Sequence, residues 1–303
     1  MAKIPSTKIR ESKGDVILDV ITGAVLVLIV LIVGYPCVYV ISCSISNPAA
    51  LQAGKVILWP VEPCIDAYQF VLNYKQVWVG FRNSIFYCAC EVFLQMTMVI
   101  FVAYPLSRRY YQGRSFIAFI FYMSTKFSAG IIPLFILKAN YLGLYDNIWA
   151  IIFSGTVGVS HMLILRTQFQ TGIPGDLFDA AMIDGANQFQ SLIKIALPLS
   201  KATLSVLILY IMVGQWNEYF NSKIYLQNPN LYSLQLVLRP IMTAASAASS
   251  QFGGASVTEQ LGNSGLDHVR YALIVISSAP PIAAYFIVQK YFKGGVMMGS
   301  VKG

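Results

Sequence analysis

The stretch Asp179-Ala180-Ala181-Met182-Ile183-Asp184-Gly185-Ala186-Asn187-Gln188-Phe189-Gln190-Ser191-Leu192-Ile193-Lys194-Ile195-Ala196-Leu197-Pro198-Leu199-Ser200-Lys201-Ala202 decides how the rest of this chain is read. It is polar, punctuated by turn residues, and lies between two long apolar stretches. Just upstream, Gly172-Ile173-Pro174-Gly175 breaks any helix that enters it, because Pro removes a backbone donor and clashes with the preceding turn. Asp176 then caps a short helix, with Asp179 near its positive N-terminal end. Gly185 ends that helix, since a left-handed residue costs Gly nothing. Asn187 with Gln190 three residues on reads as a capping box for a second helix. Pro198 punctuates the return to the next apolar run. The expected product is two short helices joined at Gly185, a compact knob. Ala180 and Ala181 would let another backbone approach closely, and Leu177, Phe178, Met182 and Ile183 would offer apolar docking surface. An ordinary amphipathic connector between helices has the same composition.

Outside this island the chain is strongly apolar. Of its 303 residues, 56% are hydrophobic and 11% charged, where a soluble domain carries about a quarter charged residues. Most of the surface must therefore meet something other than water. The 13% aromatic content fits interfacial belts. Six runs approach the roughly 20 apolar residues that cross a bilayer: about 16–43, 84–106, 116–137, 148–165, 204–220 and 271–291. The first is too long for the apolar region of a cleavable signal peptide and no small-residue cleavage site follows it, so it reads as an anchor that stays. The net charge of +8 does not form a nucleic-acid face, because the basic residues sit at the ends of the apolar runs. Lys3, Lys8, Arg10 and Lys13 precede the first run, and Arg108, Arg109 and Arg114 lie between the second and third. Arg166, Lys194 and Lys201 lie between the fourth and fifth, and Lys290, Lys293 and Lys302 follow the sixth. The positive-inside rule then places both termini and the Asp179 loop in the cytoplasm.

Two long segments, 44–82 and 221–268, would face outward. Residues 243–256, rich in Ala, Ser and Gly, read as a mobile loop. The five cysteines include no Cys-x-x-Cys, and His161 and His268 are the two histidines, so no structural metal site is expected. Most of the cysteines read as small buried hydrophobes, and a Cys43–Cys64 bridge is not favoured.

The island closely resembles the cytoplasmic "EAA loop" of ABC importer permeases, whose pattern is Glu-Ala-Ala, Gly four residues later, then Ile-x-Leu-Pro. The matching points are Asp179-Ala180-Ala181, Gly185 and Ile195-Ala196-Leu197-Pro198, with Asp179 one methylene shorter than the usual Glu. The likeness extends through Phe81-Arg82-Asn83-Ser84, which resembles the start of the core permease domain, and Ala103-Tyr104-Pro105-Leu106-Ser107-Arg108. It continues through Ile132-Pro133-Leu134-Phe135, Leu142-Gly143-Leu144 and Gly214-Gln215-Trp216-Asn217-Glu218-Tyr219-Phe220. The tail from Lys293 to Gly303 resembles that of carbohydrate importers of the maltose type; the other reading is a disordered terminus. Its Gly-rich run nearly has P-loop spacing, but Ser300 stands where Lys is required. Ile9-Arg10-Glu11-Ser12 and residues 232–239 resemble permeases for acidic or complex oligosaccharides, such as polygalacturonan and alginate fragments.

The resemblance implies an all-α integral membrane protein with six transmembrane helices and the type I ABC importer permease fold. Residues 1–80 would hold the N-terminal arm, first span and outer segment, residues 81–292 the transmembrane core with its coupling loop at 172–201, and residues 293–303 a cytoplasmic tail. The ATPase-coupling residues carried over are Asp179, Ala180, Ala181, Asp184, Gly185, Leu197 and Pro198. The implied partners are a homologous second permease, two cytoplasmic ABC ATPase subunits and an extracytoplasmic solute-binding protein, contacted near 243–267. The chain itself would bind no cofactor and catalyse nothing; ATP and Mg2+ would sit on the ATPase subunits. The location would be the bacterial cytoplasmic (inner) membrane.

Polar residues within the apolar runs are candidates for the substrate pathway. Lys126, placed mid-helix in the third run, could meet a uronate carboxylate, pair with an acidic residue or snorkel. His161 could bond a sugar hydroxyl or pack between helices. Gln215, Trp216, Asn217, Glu218 and Tyr219 cluster at the outer end of the fifth run. Directional polar groups beside an apolar face are what a sugar site uses. Ser277, Ser278, Pro280 and Pro281 read as a kink in the sixth. The same fold could carry a peptide or phosphate instead. A channel would work without an ATPase, and a membrane-embedded enzyme would need paired carboxylates or a His/Asp cluster, which the linear sequence does not display.

Overall fold

The computed structural model describes residues 13–127, 129–248 and 255–299. They are helical throughout, with no strand among the described residues. They divide into two compact units, one formed by residues up to 71 with 244–275, the other by 72–243 with the chain from 276 onward.

In the first unit, α1 (Lys13–Ser44) carries apolar side chains on every face. Leu18, Val30, Leu31 and Ile32 are all exposed, which in a helix of this length is the pattern of a membrane span. Its C-terminal end is tied down by short-range and long-range bonds. Ser46 Oγ donates to the Ser42 carbonyl at 2.6 Å, and the Cys64 N–H donates to Ile45 at 2.8 Å. His268 Nε2 lies 2.9 Å from the Ser44 carbonyl. Asn47 caps α2 (Pro48–Gln52), and α3 (Asp66–Asn73) follows. Cys43 and Cys64 are both free thiols.

The second unit is organised around α4 (Lys75–Ser107). α4 begins nine residues earlier than expected because the chain near 230 covers its first turns. Gly80 lets Leu234 approach so closely that a Cβ would stand 3.0 Å from its Cα. Asn83 Nδ2 donates to the carbonyls of Asn230 and Tyr232, Tyr87 donates to Leu231, and Ser84 Oγ accepts from the Leu234 N–H. The Phe81–Ser84 motif thus satisfies backbone groups of a turn about 150 positions away in the chain.

Next come α5 (Arg114–Ser124), α6 (Ile131–Ile136) with a π-helical turn at Leu137–Tyr141, α7 (Ile148–Ile152) and α8 (Val159–Thr171). α9 (Asp176–Ile183), α10 (Gln188–Ser191), a π-helical turn (Leu192–Ala196) and α11 (Leu197–Leu199) lead into α12 (Lys201–Trp216). After α13 (Phe220–Tyr225) and a 3-10 turn at Pro229–Leu231 come α14 (Leu234–Ala248) and α15 (Ala255–Gly299). α8 and α12 pack along α4. Their shared core includes Val99, Ala103, Leu165, Phe169 and Leu207.

Among the described residues, three helices are long and apolar enough to cross a membrane: Gly14–Ser44, Lys75–Ser107 and His268–Tyr291. α12 joins them only if counted with the segment before it, to which it is bent by 81°. The expected third run, 116–137, is interrupted between α5 and α6, where Gly130 takes φ +81° and Pro133 follows. The expected fourth, 148–165, is interrupted between α7 and α8, where Gly155 and Gly158 lie against side chains of α4. The fifth ends at Trp216 rather than Phe220. The expected loop at 243–256 is helical at both ends, since α14 reaches Ala248 and α15 starts at Ala255; residues 249–254 lie outside the described residues. Pro280 and Pro281 sit inside α15, which continues through both. Ile9-Arg10-Glu11-Ser12, Lys3, Lys8 and the tail from Ser300 also lie outside the described residues.

Candidate functional site

Two features of the second unit carry the residues singled out above. The first is the knob. Gly185 stands at φ +79°, its N–H bonded to the Met182 carbonyl and the Ala186 N–H to that of Ala181. This pair of bonds is a Schellman closure. Asn187 Oδ1 accepts from the Gln190 N–H at 2.8 Å while Gln190 Oε1 accepts from the Asn187 N–H at 3.0 Å, the reciprocal capping box. The expected cap at Asp176 is not formed. Gly175 occupies that position, and Asp176 and Asp179 both lie in the first turn, where a negative charge still meets the helix dipole.

Phe178 does not dock outward as expected; it is buried and fastens the knob to α4. The Arg108 guanidinium lies 3.8 Å from its ring centroid and 5.2 Å from that of Tyr104, and also donates to the Phe169 carbonyl. Burial pushes this guanidinium below its ordinary pKa. Tyr104 Oη donates to Gln188 Oε1 at 3.2 Å. Tyr110 Oη donates to Asp179 Oδ1 at 2.6 Å, a bond that raises the phenol pKa. Asp179, Ala180, Asp184, Gly185 and Pro198 are exposed, while Ala181 and Leu197 are half-buried, Leu197 against the core. Leu177 is exposed and Ile183 is 87% exposed. Phe189, on α10 beyond the Gly185 turn, is also exposed.

The second feature is a cleft of about 280 Å³ that carries several polar side chains in its lining. α4 supplies Glu91 and Gln95, the 153–158 turn Ser154 and Gly155, α8 His161, and α12 Tyr210 and Gln215; Glu218 and Asn221 follow α12. At Gly155 a Cβ would stand 2.0 Å from Glu91 Oε1, so any other residue would displace that carboxyl. Gly158 serves Gln95 likewise. Glu91 is 7% exposed and its Oε2 has no hydrogen-bond partner; His161 Nδ1 is also unpartnered. The His161 and Tyr210 rings stack at 6.4 Å. Glu218 Oε1 accepts from the Asn221 N–H at 2.7 Å. Just beyond the lining, Lys138 Nζ donates to Ser154 Oγ at 2.7 Å and lies 5.0 Å over the Tyr225 ring.

The cleft gathers only His161, Gln215 and Glu218 of the expected pathway residues. Trp216 is 2% exposed, edge-on to Phe81 at 5.5 Å, with Nε1 donating to the Ser277 carbonyl, so no face is open for stacking. Asn217 bonds the Val213 carbonyl, and the Tyr219 ring lies under the Arg239 guanidinium at 4.4 Å. Lys126 is in the turn after α5, not mid-helix; it is exposed, 5.2 Å over the Tyr122 ring, and does not line the cleft.

No protein-family model matches the chain. Individual proteins match along nearly its whole length. Protein LplC of Bacillus subtilis (strain 168) is 31% identical over 270 residues, 88% of this chain and 89% of that one. The polygalacturonan/rhamnogalacturonan transport system permease protein YtcP of the same organism is 30% identical over 288 residues, 94% of this chain and 98% of that one. This chain is an ABC importer permease of the sugar-transport family. A chain in the crystal structure of a bacterial ABC transporter involved in the import of the acidic polysaccharide alginate superposes on this permease with TM-score 0.81. The two are 32% identical, with 94% of this permease and 100% of that chain covered.

In this permease the sequence reading missed Glu91 and Gln95, although a signal was present: a glutamate and a glutamine one helical turn apart within an apolar run. The fold also brings Glu91, Glu218 and His161 into one cleft, the carboxylate and histidine grouping that the membrane-enzyme reading required and the linear sequence did not display. The relatives are transport permeases, and the chain is a membrane permease of that kind.

Proposed function

We propose that this permease forms half of the translocation pathway of an ATP-driven oligosaccharide importer, with cargo passing the Glu91–Glu218 cleft and ATPase force arriving at the 176–191 knob. The observation that carries the reading is a single rigid element joining the two. α4 bears Glu91 and Gln95 along its length and ends at Arg108, which clamps Phe178 of the knob. In this reading the chain has six spans, the shorter helices α5–α6, α7–α8 and α12 completing a type I arrangement with other subunits around them. The knob and both termini are cytoplasmic, supported by the distribution of basic residues. A homologous permease completes the pore, two ATPase subunits holding ATP and Mg2+ dock on the knobs, and a binding protein delivers cargo near 243–267. The alginate-importing structural relative and the polygalacturonan/rhamnogalacturonan permease support an oligosaccharide, including an acidic one, as cargo.

Alternating access follows from linkage: ATP and cargo shift the pathway only by their differential affinity for its two states. Asp179, Ala180, Ala181, Asp184 and Gly185 present the docking surface, and Leu197 and Pro198 mark the bend that returns the force to α12. The experiment is ATPase activity of the reconstituted complex, with and without sugar-loaded binding protein, for wild type and Gly185→Val. Nothing lies within 4 Å of a Cβ at Gly185, so the substitution acts on backbone conformation, at a cost of about 1–2 kcal/mol. Sugar stimulation should vanish in the variant. Full stimulation in the variant, or hydrolysis indifferent to sugar in wild type, overturns the reading.

A further inference from the structure

The chain that leaves α1 turns back along it. Beyond α2, residues 54–62 form a finger whose ends both lie in left-handed backbone, Gly54 at φ +65° and Glu62 at φ +49°. A glutamate in that conformation is uncommon, and its carboxylate here accepts from Asn47 Nδ2 at 3.1 Å. The returning arm is laced to the end of α1. The Asn47 N–H donates to the Val61 carbonyl and the Val61 N–H to Ser46 Oγ, both at 3.1 Å. Ser42 Oγ then donates to the Leu58 carbonyl at 2.6 Å. From the level of Ser46 to that of Ser42 the finger descends roughly 6 Å along α1. At its tip Val56 is buried, whereas Ile57, Leu58 and Trp59 all face out, Trp59 being 76% exposed.

The level of that tip is set by α1. No charged residue occurs between Asp19 and Lys55. Residues 20–44 of the helix span roughly 37 Å, more than the hydrocarbon core of about 30 Å and less than the about 40–45 Å that includes the headgroups. With Asp19 at one boundary, Ser42 and the finger tip stand in the headgroup layer at the other. Trp suits this layer, because its ring is apolar and its N–H is polar. Three side chains by themselves are too few for a stable protein interface, which takes about 20–30 residues a side. From this arrangement we infer that Ile57, Leu58 and Trp59 are a membrane anchor, inserting among the lipids at the Ser44 end of α1. An apolar run longer than the core can tilt or slide, and interfacial side chains settle where it rests. The finger, bonded to Ser42 and Ser46, gives α1 that fixed depth. The inference is independent of the cargo and of which side of the membrane this end faces.

The test attaches a nitroxide to Ile57→Cys and to Trp59→Cys, with Lys55→Cys, exposed near the base of the finger, as the reference position. Each variant is studied in the complete transporter, reconstituted in phosphatidylcholine vesicles. The signal of wild type treated with the same reagent is subtracted, since it reports the native thiols. Collisions with molecular oxygen, which concentrates in lipid, are compared with those of a neutral nickel chelate, which stays in water and is supplied on both sides of the membrane. Oxygen should relax the label more than the chelate at 57 and 59, and the order should reverse at 55. Both tip positions are exposed, so either variant alone carries the result if the other does not assemble. Stronger relaxation by the chelate at 57 and 59 places the finger in water and overturns the inference. Labels shielded from both reagents make the patch a contact with another protein and overturn it as well.

Discussion

The knob and the cleft are built in opposite ways. The bonds that shape the knob join residues close in sequence: Asn187 with Gln190, Gly185 with Met182, Ala186 with Ala181. The cleft draws Glu91, His161 and Glu218 from well-separated parts of the chain, and leaves Glu91 Oε2 and His161 Nδ1 unpaired. In the proposed roles, a surface that pushes against a protein partner is stiffened by short-range bonds, supplemented here by those from Tyr110 and Tyr104. If the cleft is the proposed pathway, its unfilled polar groups are ones a polar solute could complete. α4 links the two designs, with Glu91 and Arg108 roughly 25 Å apart along one helix.

The sharpest challenge to this contrast is Phe178, the buried long-range element of the knob, which joins it to the rest of the fold alongside the Tyr110–Asp179 and Tyr104–Gln188 bonds. Phe178→Ala removes a buried ring together with its Arg108 contact and should cost about 3–5 kcal/mol. The purified complex should lose its ATPase subunits, whereas Ile183→Ser, at an 87% exposed position, should keep the fold and weaken only docking. Retained, coupled ATPase subunits in Phe178→Ala would mean that the knob stands on local bonds alone.

Gly155→Val tests the other region. Its Cβ would stand 2.0 Å from Glu91 Oε1, so the carboxyl must move. Apparent affinity for cargo should fall about tenfold, or about 1.4 kcal/mol, with ATPase subunits still bound. Transport kinetics and co-purification together separate this from a knob defect. Asn187→Ala should have a smaller effect, about 1 kcal/mol from the lost cap. It should reduce sugar-stimulated hydrolysis without changing the sugar concentration that gives half stimulation.

The smallest effect expected at neutral pH concerns Asp146, which has φ +51° and Oδ1 accepting from the N–H groups of Asn228 and Gln227 at 2.9 and 2.8 Å. These bonds hold its carboxyl below the usual carboxylate range. A depressed native pKa means the clasp contributes in full above about pH 4, and that contribution is lost as pH falls through the native value. The difference in thermal midpoint between wild type and Asp146→Asn should therefore be constant near neutrality and shrink on acidification below about pH 4.

The knob was legible because capping boxes and left-handed glycines are written within one or two turns of chain. Asp176 was misplaced by one residue, since Gly175 took the cap position. Phe178 was misread because which face of a short helix is covered depends on Arg108, seventy positions earlier. Of the expected pathway residues the cleft gathers His161, Gln215 and Glu218, whereas Trp216 packs against Phe81 and Ser277 and Lys126 sits in the turn after α5. Residue type marks a side chain as suited to a sugar; it does not say which way the helix turns it.

By itself, then, the sequence determined the membrane class, the long apolar spans and the local architecture of the knob, because composition and near-neighbour hydrogen bonding decide those. Only the tertiary structure decided where α5 and α6 separate, that Trp216 is closed to a ligand, and that Glu91 shares a cleft with Glu218. Those depend on which faces of distant helices meet, and glycines such as Gly80 and Gly155 reveal their purpose only when the neighbour they admit is in place.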